Sequence, residues 1–258
     1  MKSLYCCNYN LSCNEINFYN LIMVAQPFVI FGTSHIFTLL FIIAIAFLIP
    51  VSIKNRKYED KIFIAKIIGF LAILLELIKP FIWHYSMEFA WIELIPIHMC
   101  NLSTFFIGIF LLTEKRLFFE VSFFWGIGGG LNALLTPDIP NNFPDPQFIL
   151  FFIGHGFLMI AIAYASISLK NRPTLKSVKN GIYFSLMSLP VIYIINELLG
   201  PEVNYWYLAS KPEGDSIFNL LPDPPMHIPA LIIIGVMLFF AIYSPYWLFD
   251  RFKKGGVE

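Results

Sequence analysis

The chain has 258 residues, of which 58% are hydrophobic and only 13% carry a charged side chain. A soluble domain of this size carries about a quarter charged residues, because its surface faces water. The composition therefore excludes an ordinary soluble protein and predicts an all-α membrane protein. Positive and negative side chains balance at a net charge of zero. No overall electric field would recruit nucleic acid, and none is expected as a partner.

Residues 1–33 form the first predicted segment, a leader outside the cytoplasm. It lacks the apolar core and the small-residue cleavage site of a signal peptide. Met23 also suits a translation start, so residues 1–22 are expected to be either non-native or disordered. Three of the four cysteines lie in this leader and the fourth lies in a predicted span, which is not the pattern of a disulfide framework.

Seven later segments are apolar enough to cross a bilayer. A membrane-spanning helix needs about 20 mostly apolar residues, since the hydrocarbon cannot satisfy free backbone groups. In chain order, the segments cover residues 34–53, 62–85, 91–113, 117–136, 147–169, 179–199 and 227–249. The sequence therefore predicts a transmembrane domain over 34–250, followed by a basic cytoplasmic tail over 251–258.

Basic residues fall almost entirely in alternate connections between these segments. Thirteen lie in the first, third and fifth connections and the tail, whereas only Lys2 and Lys211 lie on the opposite side. Short basic loops stay in the cytoplasm. We therefore expect a bundle of seven transmembrane helices with its N-terminus outside the cytoplasm and its C-terminus inside.

The outer connections have their own composition. Residues 137–146 are rich in proline and acidic side chains, which favours a stiff cap without helix. The longest outer connection runs from Gly200 to Met226 and carries Tyr205, Trp206 and Tyr207. Aromatic residues at this level are typical of an interfacial belt.

Polar side chains inside the spans indicate packing pairs, cavities or function, because they are costly in hydrocarbon. Span direction converts sequence position into depth. At a rise of about 1.5 Å per residue, Cys100 lies about 13 Å and His155 about 12 Å below the outer boundary. Lys66 and Glu120 belong to the cytoplasmic side, where their side chains can snorkel. The candidate site residues, all in the outer half, are His35, Glu76, Lys79, His98, Cys100, Asn101, Asn132, His155 and Asn196. The sequence predicts an outward-facing cavity among them.

Helical phase restricts which of these residues meet. His98 and Asn101 are three residues apart and share a face, whereas Cys100 lies about 200° from His98. A catalytic partner for Cys100 would then come from another helix, and His155 lies at the matching depth. Its neighbours Gly154 and Gly156 leave room for close approach to the ring.

Each feature also has a simpler explanation. A membrane cysteine is more often a packing residue than a nucleophile, and the polar groups of the spans can simply hold the bundle together. Glu76 and Lys79, spaced by three, favour an internal ion pair over a headgroup-binding role. The glycine run 126–130 favours a tight helix crossing over a nucleotide loop. His84 and His227 are weak metal candidates without zinc-site spacing, so no metal or cofactor is expected.

Several strings in the sequence form a pattern that is found in a known family. They are FGTSH at 31–35, IPIHMCNLS at 95–103, FWGIGGGLNALLTPD at 124–138, FFIGHG at 151–156, and NELLG, NYWYL and LLPDPPMHI between 196 and 228. In this order they resemble the YwaF-type bacterial membrane proteins. That family is similar to an animal seven-span acyltransferase that uses a Cys and a His to transfer polyunsaturated acyl chains to ether lysophospholipids. The resemblance implies a bacterial cytoplasmic membrane location.

The resemblance also implies a site. The catalytic cysteine matches Cys100 and the histidine matches His155, whereas Asn101 stands where the family usually has an acid or serine. The expected activity is lipid acyl transfer through a thioester, with membrane phospholipid and lysophospholipid as partners.

Supporting roles are expected for other polar residues of the spans. Asn101, Asn132 or Asn196 would donate hydrogen bonds to the oxyanion. The alternative is a carrier or sensor that binds a small polar or lipid ligand in the same cavity, with Glu76, Lys79, His98 and His155 for charge pairing or proton coupling.

Overall fold

The computed structural model describes residues 26–211 and 221–255, so the predicted leader up to residue 25, with its cysteines, lies outside the described part. All regular structure in these ranges is helical, apart from an isolated β-bridge between Pro27 and Asn141. The helices are α1 Thr33–Ile53, α2 Tyr58–Met87, α3 Met99–Thr113, α4 Arg116–Trp125, α5 Leu131–Leu135, α6 Pro146–Ile167, α7 Leu175–Leu199 and α8 His227–Gly255. A π-helix, Gly126–Gly130, joins α4 to α5 without a break, so the described chain has seven helical segments.

Five of the segments are long and apolar enough to cross a membrane. They are α1, the continuous segment Arg116–Leu135, α6, α7 and α8. The predicted class, a helical membrane protein, is therefore confirmed at this coarser level. Seven crossings and the placement of the termini stay predictions.

The bounds of α7 and α8 differ from those of the predicted spans. The predicted tail over 251–258 begins inside α8, which continues to Gly255. Helix α7 begins earlier than expected because Thr174 and Ser177 form a reciprocal capping box at its N-terminus.

The predicted span 91–113 is helical only from Met99. Helix α2 ends at Met87, and its C-cap Glu88 takes the left-handed conformation, with φ 60°. Pro96 lacks an N–H and disfavours helix at the residue before it, in agreement with the non-helical segment that follows. His98 takes the N-cap position of α3, with φ −58° and ψ 150°. Two expectations are therefore wrong: His98 does not share a helical face with Asn101, and depth cannot be counted at a helical rise from residue 91.

Helices α2 and α3 cross backbone to backbone. A Cβ atom on Gly69 would lie 2.7 Å from the carbonyl oxygen of Gly108 and 2.9 Å from the Cβ of Leu111. Small residues at such a crossing let two helices approach closely inside a membrane. The crossing fixes the side-by-side position of α2 and α3, which supply the polar residues of the site.

The N-terminal parts of α4 and α7 are joined through Glu120. Its carboxylate is 4% exposed and accepts hydrogen bonds from Arg116 Nε at 3.1 Å, Ser177 Oγ at 2.8 Å and Asn180 Nδ2 at 2.6 Å. The expectation that Glu120 snorkels to water is therefore wrong. Three donors from two helices satisfy the carboxylate in place of water.

The orientation of the bundle is open to a labelling experiment. In a variant whose four native cysteines are replaced by serine, Glu202→Cys and Lys176→Cys each introduce one thiol, on predicted outer and inner loops respectively. We expect a membrane-impermeant maleimide to label Glu202→Cys in intact cells and Lys176→Cys only after permeabilisation, because of the asymmetry of basic residues. Labelling of Lys176→Cys in intact cells would reverse the orientation.

The close crossing predicts a large effect of a single methyl group. Gly69→Ala should lower the stability of the detergent-solubilised protein by about 1–3 kcal/mol, since the new Cβ overlaps backbone that cannot move away. Gly235→Ala is the matched control, because nothing lies within 4 Å of its added Cβ. Thermal unfolding compares the two variants, and equal unfolding temperatures would argue against the tight crossing.

Candidate functional site

A buried ion pair joins two turns of α2. Lys79 Nζ lies 2.5 Å from Glu76 Oε1, and the Glu76 side chain is 1% exposed. Asn101 on α3 donates from Nδ2 to the other carboxylate oxygen, Oε2, at 2.7 Å. The ion pair expected from the spacing of three is therefore present. We call Glu76, Lys79 and Asn101 the Lys79 cluster.

The ammonium of Lys79 reaches across to α6. A Cβ on Gly154 would lie 3.0 Å from Lys79 Nζ, so the lysine passes over a residue that has only hydrogen there. The glycine on the other side of His155, Gly156, has Ile42 against it, with 3.0 Å from its ideal Cβ to the Ile42 side chain. The two glycines were expected to leave room around the histidine ring. Instead they admit one side chain each, from α2 and α1.

His155 lies next to the point where Lys79 meets α6. Its Nδ1–H donates to the carbonyl oxygen of Phe151, one turn earlier, at 2.9 Å, and its ring packs on that of Phe151 at 4.3 Å. A carbonyl oxygen only accepts, so in the neutral ring the proton is on Nδ1 and the lone pair is on Nε2. The helix itself thus holds His155 in the tautomer that a general base at Nε2 needs.

Cys100 is the second residue of α3 and is half-buried. Its Sγ faces the π-helix, where a Cβ on Gly129 would lie 3.4 Å away. The thiol therefore lies against bare backbone. Asn101, the next residue of α3, binds Glu76 and so connects the start of this helix to the Lys79 cluster.

Three helices converge at this point. Helices α2, α3 and α6 contact one another, and the π-helix contacts both α3 and α6. The structure thus joins three of the nine expected residues, Glu76, Lys79 and Asn101, in one cluster. Cys100 precedes Asn101 on α3, and His155 follows Gly154 on α6. The outward-facing cavity expected around them stays a prediction.

His35 is fully engaged in packing. It is 0% exposed, donates from Nε2 to the Leu134 carbonyl at 2.8 Å, and accepts at Nδ1 from the backbone N–H of Phe31 at 3.0 Å. Both ring nitrogens are occupied, so His35 joins α1 to α5 and has no free atom for a ligand.

Asn196 is engaged in the same way. Its Oδ1 accepts from the Tyr205 N–H and its Nδ2 donates to the Tyr205 carbonyl, both at 2.9 Å. Asn132 is exposed on α5, three residues after Gly129. The ring of His98 packs on Tyr205 with centroids 4.7 Å apart. His98 and Asn196 are thus engaged with Tyr205 rather than with the Lys79 cluster.

The loop between α7 and α8 braces the non-helical segment before α3. Tyr205 donates from its hydroxyl to the carbonyl of Ile92 at 2.7 Å, and Trp206 donates from Nε1 to the carbonyl of Ile97 at 2.8 Å. Burial raises the pKa of Tyr205, so its hydroxyl remains a donor at neutral pH. Backbone carbonyls that leave a helix need such partners. The interpretation of these aromatics as an interfacial belt is therefore wrong for Tyr205 and Trp206, which are buried.

One signal for this brace was present in the sequence. Pro96 interrupts a predicted span, which frees backbone carbonyls inside the bundle. The string NYWY brings a hydroxyl and an indole N–H to the same outer level. His227, at the start of α8, completes the attachment by donating from Nε2 to the Tyr207 carbonyl at 2.9 Å. Pairing freed acceptors with these donors would have predicted the contact.

Metal binding has no support in the described residues. Within 26–211 and 221–255, no group of three or more His, Cys, Asp or Glu side chains lies together in a way that holds a metal ion. His84 donates instead from Nδ1 to the Phe89 carbonyl at 2.8 Å.

The brace predicts a stability effect outside the Lys79 cluster. Asn196→Ala removes both hydrogen bonds to the buried backbone of Tyr205 and should cost about 1–3 kcal/mol. Ser188→Ala on the same helix is the control, because Ser188 bonds only to its own helix, at the Phe184 carbonyl. Thermal unfolding in detergent measures both. A loss no larger than that of the control would exclude the brace as a stabilising contact.

Comparison with known proteins gives one match. The sequence model of the TMEM164 family matches residues 30–243, a range that includes every helix from α1 to α7, most of α8, Cys100 and His155. No curated protein and no solved structure matches the chain. With five helices suited to crossing a membrane, the chain is a multi-pass membrane protein. Since the match covers far more than half of its length, the chain belongs to the TMEM164 family.

Proposed function

We propose that the protein is a membrane-embedded acyltransferase that moves a fatty acyl chain from a phospholipid to a lysophospholipid through a thioester on Cys100. One observation carries the proposal. Cys100 adjoins Asn101 of the Lys79 cluster, His155 adjoins Gly154, over which Lys79 passes, and His155 is held with Nε2 as its free nitrogen. A nucleophile, a base and a group that orients the base are the parts that covalent catalysis needs.

In the first half-reaction, His155 Nε2 accepts the proton of the Cys100 thiol. The sulfur attacks the ester carbonyl carbon of the donor phospholipid and forms a tetrahedral intermediate. The carbon–oxygen ester bond then breaks, and the imidazolium of His155 gives its proton to the departing lysophospholipid oxygen. The products of this step are an S-acyl Cys100 and a lysophospholipid.

In the second half-reaction, the acceptor hydroxyl gives its proton to His155 Nε2 and attacks the thioester carbonyl. The carbon–sulfur bond breaks, and the proton on His155 returns to the sulfur of Cys100. Acyl exchange between lipids needs no water and no external energy source. The ester bond that breaks in the donor and the ester bond that forms on the acceptor hydroxyl differ only in the lipid that carries them.

The backbone N–H groups next to Cys100, at the start of α3, can donate hydrogen bonds to the oxyanion. The first backbone N–H groups of a helix have no partner inside the helix, and they carry the positive end of its dipole. Cys100 lies in this first turn, and the N-cap residue His98 contributes no side-chain cap. The amides of Asn101 and Asn196 are bonded elsewhere. The backbone at the start of α3 is therefore the better source of oxyanion stabilisation, with Asn132 as the remaining side-chain donor.

Two substitutions test the proposal. Cys100→Ala and His155→Gln should each lower acyl exchange between a labelled phospholipid and a lysophospholipid at least about 100-fold, the usual contribution of a nucleophile or general base. The assay uses purified protein in mixed micelles. Ser103→Ala is the matched control on α3, because Ser103 bonds only to the Met99 carbonyl of its own helix and should keep its activity.

The intermediate is open to direct detection. With labelled phospholipid and no acceptor, the wild-type protein should retain a hydroxylamine-labile acyl group on the peptide that contains Cys100. Full exchange activity in Cys100→Ala would falsify the mechanism. Lipid that binds to the wild-type protein reversibly, without exchange or a covalent adduct, would instead support the carrier or sensor alternative.

A further inference from the structure

The ion pair of the Lys79 cluster is buried, and both oxygens of its carboxylate are bound. Burying a salt bridge is weak evidence for stabilisation, since desolvation of the two charges offsets their attraction. Here Glu76 is bound on one oxygen by Lys79 at 2.5 Å and on the other by Asn101 at 2.7 Å. The carboxylate is thereby fixed from two helices, and it fixes the direction of the lysine in turn.

Lys79 has donor capacity left beyond Glu76. An ammonium group has three N–H donors, and Glu76 is the ion-pair partner of this one. The rest of the group faces α6, where Gly154 leaves the space that Nζ occupies. The Lys79 side chain is only 14% exposed, so water screens its charge weakly.

The charged and titratable groups near Cys100 lie on three elements. Asn101, the residue after Cys100, binds Glu76, which holds Lys79 on α2. Helix α6 carries His155 beside Gly154, the residue that Lys79 passes over, and the loop after α7 carries Tyr207. The π-helix brings none, since it consists of glycine and Ile127. Lys79 is the one lysine or arginine in this set.

We propose that Lys79, oriented by Glu76 and Asn101, is the positioning charge that stabilises the thiolate of Cys100, and that Glu76 limits how strongly it does so. This inference rests on the proposed function and assigns the lysine a part in it. A cation beside a cysteine favours the thiolate, which is the nucleophile. The same cation repels the imidazolium that His155 becomes, and so favours release of that proton to the departing lysophospholipid.

The proposal predicts that replacing Lys79 and replacing Glu76 shift the pH at which the Cys100 thiolate forms in opposite directions. Lys79→Met removes the cation and leaves Glu76, so the thiolate should form at higher pH. Glu76→Gln removes the anion, leaves Lys79 uncompensated and retains an amide oxygen for Asn101, so the thiolate should form at lower pH. Each shift should be about one pH unit, the lower end of the effect of a neighbouring charge. Lys79→Arg should keep the midpoint of the wild-type protein.

The experiment measures the alkylation rate of Cys100 against pH. The variants Cys6→Ser, Cys7→Ser and Cys13→Ser are combined so that Cys100 is the only thiol in the chain. Purified protein in detergent reacts with iodoacetamide between pH 6 and 10, and the modified peptide is quantified by mass spectrometry. Size-exclusion profiles and thermal unfolding identify any variant that has lost its fold.

The outcomes separate an electrostatic role from a structural one. Opposite displacements in Lys79→Met and Glu76→Gln support the proposal, since a purely structural pair would change both variants in the same direction or neither. If Lys79→Met does not fold, the downward shift in Glu76→Gln and the unchanged midpoint in Lys79→Arg decide the question. Unchanged midpoints in folded variants, or no alkylation of Cys100 up to pH 10, would overturn it. Alkylation needs no acyl donor, so this result is independent of whether acyl exchange occurs.

Discussion

An unpaired charge inside a bilayer costs several kcal/mol, and the arrangement of this bundle follows from how it avoids that cost. Glu76 and Lys79 neutralise each other one turn apart on α2, and Asn101 binds the pair from α3. Because the lysine also crosses to α6 at Gly154, this ion pair makes contact with three helices.

The second requirement is that buried backbone groups find partners. The break before α3 leaves backbone carbonyl groups without the partners that a continuous helix would give them. Tyr205 and Trp206, in the loop between α7 and α8, donate hydrogen bonds to two of these carbonyls. The break is also what places Cys100 in the first turn of a helix. In a continuous helix over 91–113, the same residue would lie mid-helix, with its N–H already bonded. The site therefore depends on an interruption that the rest of the fold compensates.

Local information in the sequence was enough for the helical class, for α1 almost to the residue, and for the ion pair, whose spacing of three is a property of any helix. It was not enough for features that depend on distant partners. Glu120 is buried rather than snorkelling because Ser177 and Asn180, nearly sixty residues later, supply donors. His35 is a packing residue because of the Leu134 carbonyl, almost a hundred residues away. The resemblance singled out Cys100 and His155, whereas the contact of Lys79 with α6 at Gly154 depends on how α2 packs on α6.

The π-helix has a consequence for the orientation of α5. A π-helical turn contains about one more residue than an α-helical turn, and each residue of an α-helix turns the chain by about 100°. The five residues 126–130 therefore turn the chain about as far as four α-helical residues would, and ordinary α-helical winding of all five would rotate α5 by about 100° about its axis. The Leu134 carbonyl would then turn away from His35, and α1 would lose its attachment there. The winding of these five residues therefore determines two contacts at once: the backbone that faces the Cys100 thiol, and the hydrogen bond between His35 on α1 and Leu134 on α5.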